Sequence, residues 1–562
     1  MGIIAVLGFL SILMIYPFFR LHQIGVLSDW AFHSSRVEQI YRNLKAGHVF
    51  TYIATSTFGS VGTGTFLFYP TVLLYPWAMF RFVLSPINAY FMFLMLFFWI
   101  TLLVSYFSMI RLTKNRQRSF IFSILYTIAP YHLYLGITNN VLGEFMAYSF
   151  LPLVFLAFYE IVWQQKDSWK ALAIGMTLVL YCHLVSVVII CEFLILFLIL
   201  YFLLNKGMNK KQVFSLLKAM MTTIALNLFI VVPFITDYIG KNITSPTQGI
   251  IILYNANEIL TQSLNNSATN VGGLGIVLLG VLIFGFIFTK NRSMERGVYY
   301  CGVFSLIMVT SLIPWHMVAN TPLSVIQFPY RYFPYAILFL SVTGSYVFDN
   351  WIAGWQLMQF SDWISNFIKA LFIITCSLFL YFGSIASDLQ RNSNTNSDDY
   401  LQKLGKGKLA TSYNATTPTI LNNDNWNYQF DYMVLYGEKD YYPSAAKKHV
   451  SDILKHVAYV NDIKEIISPS TSANQLRYKI KVKKESFVDL PALAYTNSTV
   501  KIDGKNHEYG VSNRGTIDVN VKKGMHVVTI GYQPSMAFFI SCIIASCTWI
   551  LLIIVEFYKR IL

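Results

Sequence analysis

The chain has 562 residues, 55% apolar and 16% aromatic, with only 12% charged and a formal net charge of +15. A soluble globular protein carries about 25% charged residues, so a soluble enzyme, a disordered chain and a single-span receptor are excluded. The charge is also uneven: 34 of the 69 charged side chains fall in residues 387–536.

A hydrocarbon core of about 30 Å needs about 20 apolar residues of helix. Twelve segments qualify as candidate spans, near 2–19, 87–110, 119–137, 146–162, 171–186, 187–204, 213–236, 274–289, 297–313, 334–350, 367–386 and 537–556. Residues 1–19 have no basic start and no small-residue cleavage site, so they are expected to stay as an anchor. One alternating set of loops holds 14 basic residues, and the other (130–145, 182–187, 237–272, 314–333) holds only Lys241 and Arg331. The positive-inside bias makes the first set cytoplasmic, with the N-terminus inside and 387–536 outside. Basic residues clustered between apolar segments orient a membrane protein and do not indicate nucleic acid.

The first outer loop contains SDWAFHSSRVEQIYRNLKAG (28–47). Val37, Ile40, Tyr41 and Leu44 recur at helical spacing with Ser34, Glu38, Gln39, Arg42 and Lys45 opposite. This predicts an amphipathic helix over about 30–46 lying in the membrane interface, capped by Ser28 or Asp29. Asp29, His33 and Arg36 follow at i, i+4 and i+7, so a carboxylate, an imidazole and a guanidinium share one edge. They could take a proton and hold a phosphate; the competing expectation is that Asp29 only caps the helix.

The stretch 65–84 (TFLFYPTVLLYPWAMFRFVL) is apolar enough to span, but a full crossing would invert every later loop. It is expected to lie in or dip into the interface, broken by Pro70 and Pro76, with Gly59, Gly62 and Gly64 as a flexible lead-in. No Gly-Lys-Ser/Thr follows, so this is not a phosphate loop.

Further outer elements follow. Glu144 comes after Gly143 at a helix start, where the macrodipole favours a carboxylate. His183 lies in YCHLVS at the tip of two short spans. Arg331 in QFPYRYFPY (327–335) opposes the orientation bias unless it meets an anion, and a guanidinium suits bidentate phosphate contact; snorkelling beside Tyr330 and Tyr332 is the alternative. Of the twelve acids in the membrane body, Glu160, Asp167, Glu295, Asp349, Asp362 and Glu556 are expected as solvated cytoplasmic flanks. The other six are Asp29, Glu38, Glu144, Glu192, Asp237 and Glu258, all outward except Glu192.

Residues 387–536 open with a polar linker, RNSNTNSDD (391–399), and continue with QLRYKIKVKK, TVKIDGKNHEYGV and TIDVNVKKGMHVVTIGY. Alternation with turns at Asp503-Gly504 and Lys523-Gly524 predicts antiparallel strands in a small β-sandwich. All six Cys lie in apolar stretches outside this domain, so it holds no disulfide, which suits a Gram-positive surface. No HExxH, GxSxG, Walker or CxxC motif and no internal repeat appears.

The expected organisation is therefore a helical membrane body, 1–386, with a first outer loop at 20–64. An extracytoplasmic β-rich domain, 387–536, and a final anchor with a short cytoplasmic tail, 537–562, complete it.

The string SDWAFHSSRVEQIYRNLKAG, then FYP (68–70), APY…LGEFMAYSFLPL, the His183 element, QFPYR, LPALAYTNSTVKIDGK (490–505) and KKGMHVVTIGYQPS (522–535) together resemble the bacterial YfhO-like membrane proteins of the GT-C glycosyltransferase superfamily. Where that family often carries Arg before the Gly-Glu pair, this chain has Asn139 and Asn140. The resemblance implies a GT-C-like polytopic fold. It also implies sugar transfer from a polyprenyl-phosphate carrier to an extracytoplasmic acceptor such as lipoteichoic acid or another wall glycopolymer, with the catalytic acid at Asp29. The expected reaction is inverting. Asp29 is the base, Arg331, His33 and Arg36 hold the carrier phosphate, and Glu144, His183, Gln327 and Tyr330 position donor or acceptor. Asp29 could ligate a divalent cation; no other cofactor and no nucleic acid is expected. The alternatives are a flippase or exporter of lipid-linked sugar, and a non-catalytic scaffold binding wall polymer.

Overall fold

The structure is a computed structural model that describes residues 2–561 apart from 206, 245–253, 270, 356–360, 394–408, 411–418, 432 and 435–439. Each of the twelve apolar segments overlaps a helix or a bent helix pair, although 171–186 runs across a break at 181–183 between Trp169–Leu180 and Leu184–Leu204. Among the described residues, seven helices are long and apolar enough to cross a membrane, or up to nine if each bent pair is one span. Trp169–Leu180 and Ile276–Phe288 are shorter; 12 residues reach only about 18 Å at 1.5 Å per residue. The protein is a polytopic α-helical membrane protein with a β-rich C-terminal region.

The stretch 65–84 is not a span. It breaks into Thr65–Phe68, Val72–Leu74 and Tyr75–Phe80. Pro70 falls between the first two pieces, where its missing N–H cannot continue a helix. Pro76 does not break anything: it sits in the first turn of Tyr75–Phe80, where proline is tolerated.

The chain divides into two compact units that do not follow chain order. One comprises Met1–Gly25, Tyr90–Met221 and Thr247–Thr395. Its helices pack around Leu7, Leu10, Leu102, Ile121, Ile124 and Ile373. At one helix end Glu160, expected as a solvated flank, is 1% exposed. It lies 2.5 Å from Arg111 and accepts from Ser168 at 2.6 Å. Glu295 likewise meets Arg118 at 3.2 Å, and Asp349 accepts from Asn115 and Gln117. Carboxylates beside a low-dielectric body keep their charge by pairing.

The other unit comprises Val26–Ala89, Thr222–Pro246 and Asn396–Leu562. Its β-sandwich has two five-stranded sheets. One runs Lys505–Asn506, Ser498–Ile502, Gly524–Tyr532, Gln475–Val482, Ser470–Ser472; the other runs Gly510–Val511, Thr516–Val521, Ser486–Leu493, Val457–Val460, Ile463–Ile466. Alternate residues of both (Leu476, Tyr478, Ile480, Val488, Ile517, Val519, Val528, Ile530) form one core. The Asp503-Gly504 turn is as expected, with both residues at positive φ (49° and 82°) between antiparallel strands. The Lys523-Gly524 turn is not a hairpin: Thr516–Val521 pairs with Ser486–Leu493, whereas Gly524–Tyr532 pairs with Gln475–Val482 and Ser498–Ile502. The chain crosses there from one sheet to the other. The polar stretch 391–399 begins inside the helix Asp362–Ser393, and its remainder lies outside the described residues.

Residues 50–64 pack on this domain instead of forming a flexible lead-in. Val61 accepts from the Leu493 amide at 2.9 Å, and the Gly64 amide donates to the Tyr495 hydroxyl at 2.8 Å. A Cβ at Gly64 would come within 2.7 Å of the Tyr495 ring, so only glycine permits that approach.

Candidate functional site

The predicted site residues divide between the two units: Asp29, His33 and Arg36 in the unit holding the β-sandwich, and Glu144, His183, Gln327, Tyr330 and Arg331 in the other. Each cluster has its own logic.

The first is built on the helix Trp30–Lys45. Its amphipathic pattern predicted a polar face toward water and headgroups. Instead, the polar face is enclosed: His33, Ser34, Ser35, Arg36, Glu38, Gln39 and Asn43 are all buried. Burying polar groups is tolerable only when they are hydrogen-bonded, and most here are. Gln39 Oε1 accepts from the Thr55 and Ser56 amides at 2.9 and 2.7 Å, while its Nε2 donates to Asn43 at 2.9 Å. Ser34 and Trp30 donate to Gln429 Oε1 at 2.9 and 2.8 Å. Glu38 accepts from Arg42 at 2.8 Å and Arg81 at 2.6 Å. Burial alone would raise the Glu38 carboxyl, but Arg81 and then Arg42 more than offset it and hold it below the usual range.

Asp29 stands at the N-cap, half-buried, yet its side chain makes no capping hydrogen bond, so capping does not account for it. His33 is 1% exposed and lies edge-on to Phe32 and Tyr69, with ring centroids 5.4 and 6.2 Å away. Arg36 is 0% exposed. Its Nη2 donates to the backbone carbonyls of Tyr69, at 3.3 Å, and Pro70. The guanidinium lies 4.7 Å from the Tyr69 ring centroid and 5.0 Å from that of Phe32. Among the described residues Arg36 Nε and Nη1 have no hydrogen-bond partner, and the side chain makes no ion pair. Burial pushes its pKa down to about 10, against the opposing influence of Tyr69 and Tyr441.

The second cluster sits where helices break. Arg116–Thr127 and Pro130–Thr138 meet at 50°, and Leu142–Tyr148 and Leu151–Val162 at 42°; Pro130 and Pro152 each open the second member. Glu144, in the first turn of Leu142–Tyr148, is 3% exposed. It accepts from the Tyr131 hydroxyl at 2.6 Å and faces Arg331 Nε at 3.9 Å. Arg331 Nη1 donates to the Ile326 carbonyl at 2.7 Å and Gln327 Oε1 at 2.9 Å. Gln327 reaches that position with φ at 61°, a left-handed conformation costly for a side chain with a Cβ. Tyr330 stacks on Phe328 with centroids 5.0 Å apart. His183 caps Leu184–Leu204, its Nδ1 accepting from the Ser186 amide at 3.3 Å, and lies within electrostatic reach of Arg331.

Sequence reasoning thus missed the structural partners Arg81, Tyr131, Gln429 and Trp426, whose indole N–H donates to Glu38 Oε2 at 3.4 Å. Only Arg81 left a signal, as the one charge inside the apolar stretch 65–84. Among the described residues no group of three or more His, Cys, Asp or Glu could hold a metal ion.

A family model described as 6-pyruvoyl-tetrahydropterin synthase related domain, membrane protein, matches residues 66–387, more than half of the chain. No curated protein matches it. Among solved structures the chain is similar to ArnT from Cupriavidus metallidurans, a crystal structure bound to undecaprenyl phosphate. The identity is 10% and the TM-score 0.41, over 77% of this chain and 84% of that one. It is also similar to the arabinofuranosyltransferase AftD from Mycobacteria, solved by single-particle cryo-EM. There the identity is 12% and the TM-score 0.48, over 95% of this chain but only 40% of AftD.

Proposed function

The chain belongs to the 6-pyruvoyl-tetrahydropterin synthase related domain family of membrane proteins, and from that premise we propose that it is a membrane glycosyltransferase. It would move a sugar from a polyprenyl-phosphate donor to an acceptor outside the cytoplasm, such as lipoteichoic acid or another cell-wall glycopolymer. One observation carries the proposal: Arg36 is wholly buried, and among the described residues two of its nitrogens have no hydrogen-bond partner and no carboxylate pairs with it. A buried cation is expensive unless a counter-charge arrives, and Asp29 and His33 occupy the same helix edge.

In this scheme Asp29 accepts the proton of the acceptor hydroxyl as its oxygen attacks the anomeric carbon. The bond from that carbon to the carrier phosphate breaks, and the phosphate leaves with the electron pair. Arg36 and His33 stabilise the charge gathering on it. Arg36 is 0% exposed, so contact with a phosphate would require side chains around it to move. A leaving phosphate needs no strong acid, which fits one carboxylate better than the paired acids of a hydrolase. If a divalent cation takes part, Asp29 would be its ligand. Within the other unit, Arg331 is proposed as a phosphate contact, with Glu144, His183, Gln327 and Tyr330 positioning the bound molecule.

The test is sugar transfer by purified protein in nanodiscs, with mass spectrometry of cell-envelope polymers from cells with and without the gene to name the sugar. Asp29→Asn should abolish addition while the protein still reaches the membrane. Full glycosylation by that variant would remove the proposed base.

A further inference from the structure

The two sheets of the sandwich differ in charge. The strands Lys505–Asn506, Ser498–Ile502, Gly524–Tyr532, Gln475–Val482 and Ser470–Ser472 carry Lys505, Lys501, Arg477, Lys479 and Lys481 and no Asp or Glu. The strands of the other sheet carry Asp518, Asp489 and Glu465 against Lys464 alone. In the basic sheet the inward positions Leu476, Tyr478, Ile480 and Val528 fill the core, so period-2 alternation turns Arg477, Lys479 and Lys481 outward. All five bases are exposed, and among the described residues none makes an ion pair.

Same-face residues on a strand are about 7 Å apart, so Arg477, Lys479 and Lys481 form a straight row. Register sets Lys501 beside it across Thr529, while Val527 and Met525, which is 71% exposed, flank Lys479 and Lys481. Arg477, Lys479, Lys481 and Lys501 share this face, whereas Lys505 pairs with Ile502, which packs on the core. The four like charges repel one another, and a bound polyanion replaces that repulsion with attraction. A row at regular spacing fits a linear polyanion, since neutralising successive phosphates releases their counterions.

We propose that this face binds a phosphate-bearing linear polymer. The membrane surface is the other candidate anion, and the row leads back along the strand from the end nearest the last apolar helix. The strand ends at Tyr532 and the apolar helix starts at Met536. Lys481 pairs with Met525, about 24 Å back along the strand at 3.4 Å per residue. Surface charge is screened within about 8 Å at physiological salt. The proposal deepens the functional reading above, because it assigns the acceptor a chemical class, a polyphosphodiester.

The experiment uses the full chain in zwitterionic nanodiscs with inorganic polyphosphate as the probe. The variant R477S/K479T/K481T keeps strand-compatible residues at exposed positions. The control K447Q/K448Q/K455Q removes the same charge at other exposed positions. Losing three contacts should weaken binding on the order of 10- to 100-fold and flatten the salt dependence by about two, while the control changes little. Equal losses in both variants, or none in the first, overturn the proposal. Amine labelling of Lys479 and Lys481 should be the same in anionic and zwitterionic nanodiscs; protection by anionic lipid would assign the face to the membrane instead. None of these readouts needs sugar transfer, so failure of Asp29→Asn to block glycosylation would leave this result intact, and the reverse also holds.

Discussion

Arg36 and Arg331 are both largely enclosed by protein and both were expected to meet a phosphate, yet their surroundings differ. Arg331 has a carboxylate, Glu144, 3.9 Å away and Gln327 fixing one nitrogen. Arg36 has two aromatic rings and two backbone carbonyls but no described carboxylate. Burying a charge costs several kcal/mol that a partner must return. The fold supplies that partner for Arg331; for Arg36 it supplies weaker cation–π and carbonyl contacts. The difference ranks the two proposed phosphate contacts: Arg331 already faces a counter-charge within the protein, and Arg36 is the one for which a ligand anion is proposed as the counter-charge.

The sharpest way to break this contrast is activity. Removing a general base costs about 10²–10⁴ in rate, so Asp29→Asn should fall that far in a transfer assay with purified protein. Arg36→Met should lower transfer strongly as well. If Arg331→Met stops transfer and Arg36→Met does not, Arg331 is the phosphate contact that matters and the role proposed for Arg36 fails.

Stability should run in the opposite sense. Arg331→Met removes the cation facing the buried Glu144 carboxylate, which costs up to about 3–5 kcal/mol, and adding Glu144→Gln should recover most of it in a thermal melt. Arg36→Met strands no acid, so its melting temperature should hold or rise. A large fall there would mean that the aromatic cage is a structural cation–π site.

A smaller effect comes from Glu38, two residues along the same helix and served by both Arg42 and Arg81. Hydrogen bonds to a charged group contribute about 1.5–3 kcal/mol, so Glu38→Gln should lose roughly that at neutral pH. Its folded carboxyl is depressed below 4.5, so the contribution is present above the unfolded value and disappears as pH falls through the folded one. Melts of wild type and variant should therefore be fully separated above pH 4.5 and converge as pH falls below it through the folded value.

What the sequence made legible follows from which interactions are local. Twelve apolar runs predicted helices because length and apolarity are properties of the run itself. The Asp503-Gly504 hairpin was readable because the left-handed conformations sit on the turn residues. The Lys523-Gly524 turn misled because a turn signal marks a reversal without saying which strand edge comes next. Periodicity likewise revealed that Trp30–Lys45 is two-faced, but not that its polar face meets Thr55, Arg81, Trp426 and Gln429 instead of water. Those partners lie up to 399 residues away. His183 is the reverse case, since its bond to Ser186 spans three residues and could have been read from the local string.

The smallest effect belongs to an exposed pair, which bounds the comparison from below. His526 Nδ1 lies 2.7 Å from Asp503 Oδ2, across the turn that also takes the Val527 amide onto Asp503 Oδ1 at 2.9 Å. The hydrogen bond to Asp503 raises the His526 pKa above 6.5. A raised histidine contributes stability that is fully present below the unfolded value and is lost as pH rises through the folded one. Asp503 is exposed and His526 partly so, a setting in which pairing is weak and screened by salt, so the melting temperature should barely move between pH 6 and 8. The ring itself still reports the contact. By NMR its titration midpoint should lie above 6.5 in the wild type, return toward 6.5 in Asp503→Asn, and shrink in offset as salt is added. An offset that survives both changes would have to come from the carbonyl of Lys522, 3.0 Å from Nε2, and water would then screen this pair less than its exposure implies.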